Sequence, residues 1–338
     1  MKKLRVLVLM HPDLVPPEDA AKLSEEERFA FKTEWDVMRT LRKLGHEAQP
    51  LGVQTEFQPI RDAVDAFKPD VVFNLLEEFH GNVLFDQNVV SLLELLRVPY
   101  TGCNPRGMVI SREKSLAKKL LLYHRIRLPA FHVFPVGHRV KRPRALTFPL
   151  IVKSLTEHAS LGISKASLVN SDEELAERVA LVHRRVETHA LAEQFIAGRE
   201  IYVGVLGNDR LTALPARELV FKNAAPDEPL IATERAKHNL EYQKKHGIDQ
   251  QAADDLPPNV ATSIGHLSKR IYRILGLTGY ARLDYRLASG GQLWFLEANP
   301  NPEIAQTEEF ASAAKQAGME YPDLLQRITN LGLRSLSA

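Results

Sequence analysis

Residues 279–301, GYARLDYRLASGGQLWFLEANPN, constrain this chain more than any other stretch. Two runs of alternating polar and apolar residues flank Gly290-Gly291, the pattern of a tight β-hairpin. With a two-residue turn at those glycines, Asp284 falls directly across from Glu297, and Arg282 across from Asn299. Opposed residues share a face, with Cβ atoms roughly 4.5–5.5 Å apart. Alternation along each strand also puts Arg282 beside Asp284 and Glu297 beside Asn299. Two carboxylates that close repel each other unless a cation lies between them. A set of Asp, Glu and Asn oxygens suits Mg²⁺, a hard cation that prefers oxygen ligands. The alternative is a surface hairpin whose polar face is merely wet, because alternation is common in half-buried strands. The rest of the chain decides between them.

At 338 residues the chain exceeds one ordinary core and divides into two or three domains. Its 44% hydrophobic and 25% charged content is ordinary for a globular protein. A net charge of +2, from 44 basic and 42 acidic residues, is too balanced to indicate a nucleic-acid partner. The basic cluster between His124 and Arg144 reads as a solvated surface. No apolar run approaches the roughly 18–20 residues needed to cross a bilayer, so no membrane partner is expected. Lys2 and Lys3 precede an apolar run, but Val6–Met10 is too short for a signal peptide and ends at His11-Pro12-Asp13. The single cysteine, Cys103, precludes an internal disulfide, and a reducing cytoplasm is the expected location.

Leu4–Met10 and Val71–Leu76 read as buried parallel strands. Helical periodicity over Glu34–Leu44, stopped by Gly45, and over Asn88–Leu96 completes an α/β unit that ends near Cys103. Ser111–Tyr123 is expected as one helix carrying Lys114, Lys118 and Lys119, followed by strands at Ala130–Pro135 and Leu150–Ser154. Ser171 and Glu174 form a capping-box pattern that opens a helix to about Val186. A third segment from Leu191 mixes strands with a helix over Pro258–Leu275. Asn223–Leu256 is polar and charged and is expected to contain a long mobile loop.

At the hairpin, Gly279-Tyr280-Ala281-Arg282-Leu283-Asp284 and Leu296-Glu297-Ala298-Asn299 resemble the G-x-G-R-x-D and L-E-x-N signatures of the ATP-grasp superfamily, in its D-alanine–D-alanine ligase branch. The resemblance covers most of the chain and is strongest from Gly102 to Gly318. It implies an α/β fold in three parts. These are an N-terminal parallel-sheet domain (1–103), a small central α+β subdomain (104–190) and a C-terminal α+β catalytic subdomain (191–338). It further implies an ATP-dependent carboxylate–amine ligase that uses one or two Mg²⁺ ions, with Mn²⁺ able to substitute. Its partners would be a small-molecule acid and an amine, and it would form a homodimer through the first domain.

Site residues carry over by motif. Asp284, Glu297 and Asn299 would hold the metal, and Arg282 would stabilise the oxyanion of the tetrahedral intermediate. Lys114, Lys153 and Lys237 resemble the lysines that meet the phosphates, and the small residues around Ser160 and Gly162 resemble the flap over them. Glu193, Phe195 and Ile196 match the hinge at adenine, with Glu193 accepting its amino group, and Glu200 matches the acid at the ribose. His80, Asp86, Glu303 and Glu308 are the candidates on the substrate side.

That side departs from the family. Met10–Pro17 replaces a Gly/Ser-rich segment with a glutamate, and only Asp86 remains of a G-E-D stretch. Ala159 and His238 stand where serine and tyrosine are usual, and Asn301-Pro302-Glu303-Ile304 replaces S-P-G-M. Ionised Glu303 and Glu308 offer only acceptors and would repel an acceptor's free carboxylate unless a lysine or arginine intervened. The expectation is therefore a ligase whose substrates are not two D-alanines. The competing readings are a true D-alanine–D-alanine ligase and a non-catalytic ATP-binding module.

Overall fold

The N-terminal apolar run forms β1 (Arg5–Met10), buried from Val6 onward, as a strand covered on both faces must be. It pairs in parallel with β2 (Glu47–Gly52) on one side and β3 (Val71–Asn74) on the other. The computed structural model describes residues 2–156, 163–223, 229–233, 235–236 and 239–337. The helix between β1 and β2, Lys32–Lys43, buries Val37, Met38 and Leu41 against this sheet. The last long helix of the chain, Tyr321–Gly332, returns to the same face with Leu324, Leu325 and Ile328.

Two antiparallel sheets follow. The smaller contains β4 (Phe131–Phe134), β5 (Leu150–Ser154), β6 (Leu168–Val169) and β7 (Ala190–Gln194), ordered β4-β7-β5-β6 and backed by the Asp172–Arg185 helix. The larger contains β8 (Arg199–Leu206), β9 (Thr212–Ala213), β10 (Arg217–Phe221), β11 (Ile248–Ala252), β12 (Tyr280–Leu287) and β13 (Leu293–Pro300). Its order is β11-β10-β8-β12-β13, with β9 on β8, and the Pro258–Ile274 helix packs across it.

Three expectations change in detail. The helix at Ser111–Tyr123 is two helices, Pro105–Arg112 and Lys114–Tyr123, because Glu113 is extended and its side chain caps the second by accepting from the Leu116 N–H. The stretch 223–256 also holds regular elements. Asn239 caps a helix over Leu240–His246, Gly247 ends it at φ 59°, and β11 then pairs with β10. At the capping box Ser171 accepts from the Glu174 N–H as expected, but Glu174 accepts from Asn170 rather than Ser171.

The hairpin places Asp284 opposite Glu297 and Arg282 opposite Asn299, as the two-residue turn predicts, yet the turn is longer. Leu287 opposes Leu293, and the Ala288 N–H donates to the Gln292 carbonyl. The surplus residue is taken up by a bulge at Leu296, which has no partner between the pairs Asp284–Glu297 and Tyr285–Phe295.

The two ends of the hairpin, at Gly279 and Asn301, pass tightly over the segment after β3. Gly279 has φ +67°, and a Cβ there would meet the Gly102 carbonyl oxygen at 2.4 Å. Gly102 has φ +97°, and a Cβ there would meet Asn301 Oδ1 at 2.4 Å. Only glycine fits either place. Gly279→Ala should lower stability by on the order of 3 kcal/mol, read from chemical denaturation. A wild-type midpoint would show that the close approach costs nothing to relieve.

Candidate active site

A cleft opens between the two antiparallel sheets. Its walls bring together Ile151 and Lys153 of β5, Glu193 of β7, Phe195 and Ile196 just beyond, Glu200 of β8, Asp284 and Arg286 of β12, and Glu297 of β13. Seven of the residues singled out from sequence therefore share one cavity. Lys114 is buried at the start of its helix and does not line it. Ser160, Gly162 and Lys237, with Ala159 and His238, lie outside the described residues.

Glu193 is at the centre of a buried charge cluster. Lys153 Nζ is 2.5 Å from one carboxylate oxygen and Lys118 Nζ is 2.9 Å from the other. Burial alone would raise the Glu193 carboxyl, but the two ammonium groups outweigh it and hold it below its ordinary value. Burial lowers Lys118. Lys153 stays above its ordinary value because Glu193 and Glu297 outweigh its burial. Here Glu193 thus orients two lysines, in addition to the adenine contact expected of it. Lys118 also donates to the Leu296 carbonyl at 2.8 Å, at the bulge. Sequence reading passed over Lys118 in favour of Lys114, although the i, i+4 spacing puts both on one helix face.

Glu200 is held by Arg286, at 2.9 Å, and by the Tyr202 hydroxyl, which donates at 2.8 Å. Arg286 also donates to the carbonyls of Gly198 and Leu230. It was legible in principle, because it lies two residues beyond Asp284 on the same strand face.

At the hairpin end, Arg282 donates to both oxygens of Asp284, at 2.8 and 3.0 Å, and pairs with Glu309. Its guanidinium lies 4.8 Å over the Tyr202 ring. Burial opposes the Arg282 charge, but Asp284 and Glu309 hold it cationic, well above its ordinary value. Asn299 donates to Asp284 at 3.1 Å. Among the described residues no group of three or more His, Cys, Asp and Glu side chains is placed to hold a metal. The fit to Mg²⁺ rests on two opposed carboxylates and an amide, an all-oxygen set once Asn299 turns its Oδ1 inward. Glu309 was not anticipated. It sits in the first turn of the Glu309–Gln316 helix, 5% exposed, and reaches Arg282 through the tertiary fold alone.

A second cavity, of about 570 Å³, lies at the C-terminal ends of β1 and β3. His11, Lys32, Glu34, Asn74, Tyr280, Asn301 and Glu303 are in its walls. Open α/β sheets bind ligands at this edge. Glu303 is here as expected, but its charge is met: Lys32 Nζ is 3.2 Å away and also pairs with Glu308, while the Thr33 hydroxyl donates to Glu303 at 3.2 Å. The other two substrate-side candidates are not brought to the cavity. His80 is exposed in a left-handed turn, φ 55°, with its N–H on the Gln54 carbonyl. Asp86 is fully buried and paired with Arg112, its carboxyl pushed up to about 7 chiefly by burial. That pair ties two helices together and has no path to a substrate.

Residues 128–330 match the family model described as D-ala D-ala ligase C-terminus. The D-alanine–D-alanine ligase of Bordetella petrii is 34% identical over 256 residues, 74% of this chain and 73% of that protein. The enzyme of the same name from Moorella thermoacetica is 30% identical over 321 residues, 92% and 96% of the two chains. The crystal structure of a D-alanine–D-alanine ligase from Bacillus anthracis complexed with ATP superposes with a TM-score of 0.76 at 23% identity, covering 99% of each chain. The fold is ATP-grasp, and the protein is an ATP-dependent ligase. The chain belongs to the D-alanine–D-alanine ligase family. No helix among the described residues is long and apolar enough to cross a membrane.

Two outcomes follow from the charges. Glu193→Gln would leave Lys118 and Lys153 buried without their shared counter-charge, so it should destabilise the fold by about 3–5 kcal/mol in chemical denaturation. A loss under about 1 kcal/mol would mean that the cluster is not held by Glu193. Glu34 is raised from 4.5 to about 7 by burial first, and by Glu77 and Glu303. A carboxyl raised on folding binds its proton more tightly in the folded state. Its cost is therefore absent below about pH 4.5 and fully present above about pH 7. Glu34→Gln should match wild type in stability at pH 4.5 and exceed it by on the order of 2 kcal/mol at pH 8. A gap that does not change with pH would show that the carboxyl titrates normally.

Proposed function

We propose that this ligase joins two molecules of D-alanine through an acyl-phosphate intermediate, with Mg²⁺ held by Asp284, Glu297 and Asn299. The observation that carries the reading is the convergence of Lys153, Glu200, Arg286 and the Asp284–Glu297 pair on one cleft. The names of the relatives, which span most of both chains, support the substrates. The argument for other substrates rested on repulsion by Glu303 and Glu308. Lys32, in contact with both, removes its force.

In this reading Phe195 and Ile196 form the apolar wall for adenine, and Glu200, held by Arg286, accepts from the ribose hydroxyls. Lys153 presents its ammonium to the phosphates, with Glu193 setting its position. The carboxylate oxygen of the first D-alanine attacks the γ-phosphorus, and ADP leaves. The amine of the second then attacks the acyl carbon, the C–O bond to phosphate breaks, and the amine's proton passes to solvent. Charge gathers on the carbonyl oxygen as the amine adds, and Arg282 is the cation aimed to meet it. Glu309 and Asp284 keep that guanidinium in place before charge develops. Bound Mg²⁺ supplies neutralisation of the phosphate oxygens. Water has to be excluded from the cleft, because an acyl phosphate hydrolyses when water enters.

ADP release with D-alanine as sole amino acid is the direct test. Turnover that requires Mg²⁺ and yields the dipeptide is expected, and its absence would overturn the substrate assignment. Asp284→Asn and Glu297→Gln should each abolish ATP turnover while leaving the fold intact, since Arg282 keeps Glu309 and Lys153 keeps Glu193 as a counter-charge. Full turnover in Glu297→Gln would remove it from the metal site.

A further inference from the structure

The smaller antiparallel sheet ends on β4, which pairs with β7 on one side and with no other strand among the described residues. The Gln194 N–H donates to the Ala130 carbonyl, so alternation turns the backbone groups of Ala130 and His132 toward β7. The N–H and C=O groups of Phe131 and Val133 therefore point away from the sheet, along its free edge. Soluble proteins usually blunt such edges with lysine, proline or a bulge. β4 has none of these. It reads Phe-His-Val-Phe, rich in residue types that favour strands, and it is able to take another strand.

A groove of about 790 Å³ lies beside β4. Its walls are the stretch 128–133, Lys119 and Leu122 of the Lys114–Tyr123 helix, Gln194 and Trp294. Leu122, Phe131 and Trp294 make part of it apolar, and no carboxylate lines it. Arg127 lies over the Trp294 ring, 5.6 Å from its centroid. Lys119 and Arg127 are exposed, and neither pairs with a carboxylate among the described residues. The sequence around them carries the same bias, because residues 114–156 include no Asp or Glu at all. In a chain whose net charge is only +2, that is a strong local excess of positive charge.

We propose that the free edge of β4 is a docking site for an extended, acidic segment of a partner protein, which adds to the four-stranded sheet as a further strand. Backbone pairing with Phe131 and Val133 supplies the ladder. Successive side chains of an incoming strand alternate between two faces, so one set can be apolar, against Leu122 and Trp294, and the other acidic, against Lys119 and Arg127. Charge decides the class of partner: the cations here have no carboxylates of their own, and a basic segment would be repelled. An anionic lipid surface would meet the same cations but would leave the backbone groups of the edge unused. None of these groups contributes to the ligase reading, so the inference stands apart from it.

The test is fluorescence anisotropy of the full chain with a labelled peptide of alternating glutamate and valine, and with its lysine–valine counterpart. Wild type should bind the acidic peptide at least about tenfold more tightly than the basic one, and added salt should weaken that binding. Val133→Pro removes one outward N–H at an edge position, where proline is tolerated, and should cost about tenfold or more in affinity for the acidic peptide. Lys119→Glu combined with Arg127→Glu should abolish the preference for the acidic peptide. Circular dichroism melting shows whether each variant folds. A fully N-methylated acidic peptide, which cannot donate to the ladder, should bind wild type about tenfold more weakly and keeps the test decisive should Val133→Pro fail to fold. No binding by wild type, equal binding of the two peptides, or undiminished binding by folded Val133→Pro or of the N-methylated peptide would each overturn the proposal. Phosphatidylglycerol vesicles that bind wild type and Val133→Pro equally, and more tightly than the peptide, would assign the surface to a membrane instead.

Discussion

The structure turns on a pair of carboxylates set opposite each other on a hairpin. Asp284 and Glu297 would drive the strands apart if nothing answered their charge. Everything nearby answers it. Arg282 takes both oxygens of Asp284, Asn299 donates to the same group, and Lys153 lies close enough for Glu297 to raise its basicity. Glu309 then holds Arg282, and Glu193 holds Lys153 against Lys118. The charges alternate across the cleft, so each group is placed by the next. Such a lattice is rigid because moving one member leaves another buried and unpaired.

The first sheet and the cavity beside it follow a different logic. β1 from Val6 onward and β3 are buried on both faces, and the helices, including the last of the chain, are apolar where they meet the sheet. At the ends of β1 and β3 that apolar packing gives way to polar groups. Some are answered, as Lys32 answers Glu303 and Glu308, and some are not, as with Glu34 and the amides of Asn74 and Asn301. The difference between the two regions is one of completion. The cleft between the antiparallel sheets is internally balanced, while the cavity beside the first sheet is only partly so.

Local signals in the sequence were enough for much of this. Alternation around Gly290-Gly291 set the two opposed carboxylates in register, and buried apolar runs marked β1 and β3. The residues it could not supply are those whose partners arrive from far along the chain. Glu309 meets Arg282 from 27 residues away, and Lys118 meets Glu193 from beyond three strands and a helix. Asp86 looked like a site residue because its motif position matched, and burial against Arg112 showed otherwise. Glu34 was read only as part of a helical period, since nothing in one sequence says that a charged residue on a helix faces inward.

The hairpin reached its register by two departures that cancel: a turn longer than two residues, and a bulge at Leu296. The same bulge leaves the Leu296 carbonyl free to receive Lys118. Strand length here is therefore not independently adjustable. At this chain length a two-residue turn would draw Leu296 into the ladder and erase the bulge. Losing the bulge, in turn, would cost Lys118 its backbone anchor. Among proteins built this way, insertions and deletions in the turn should come in matched pairs with changes at the bulge, and the lysine should change when they do.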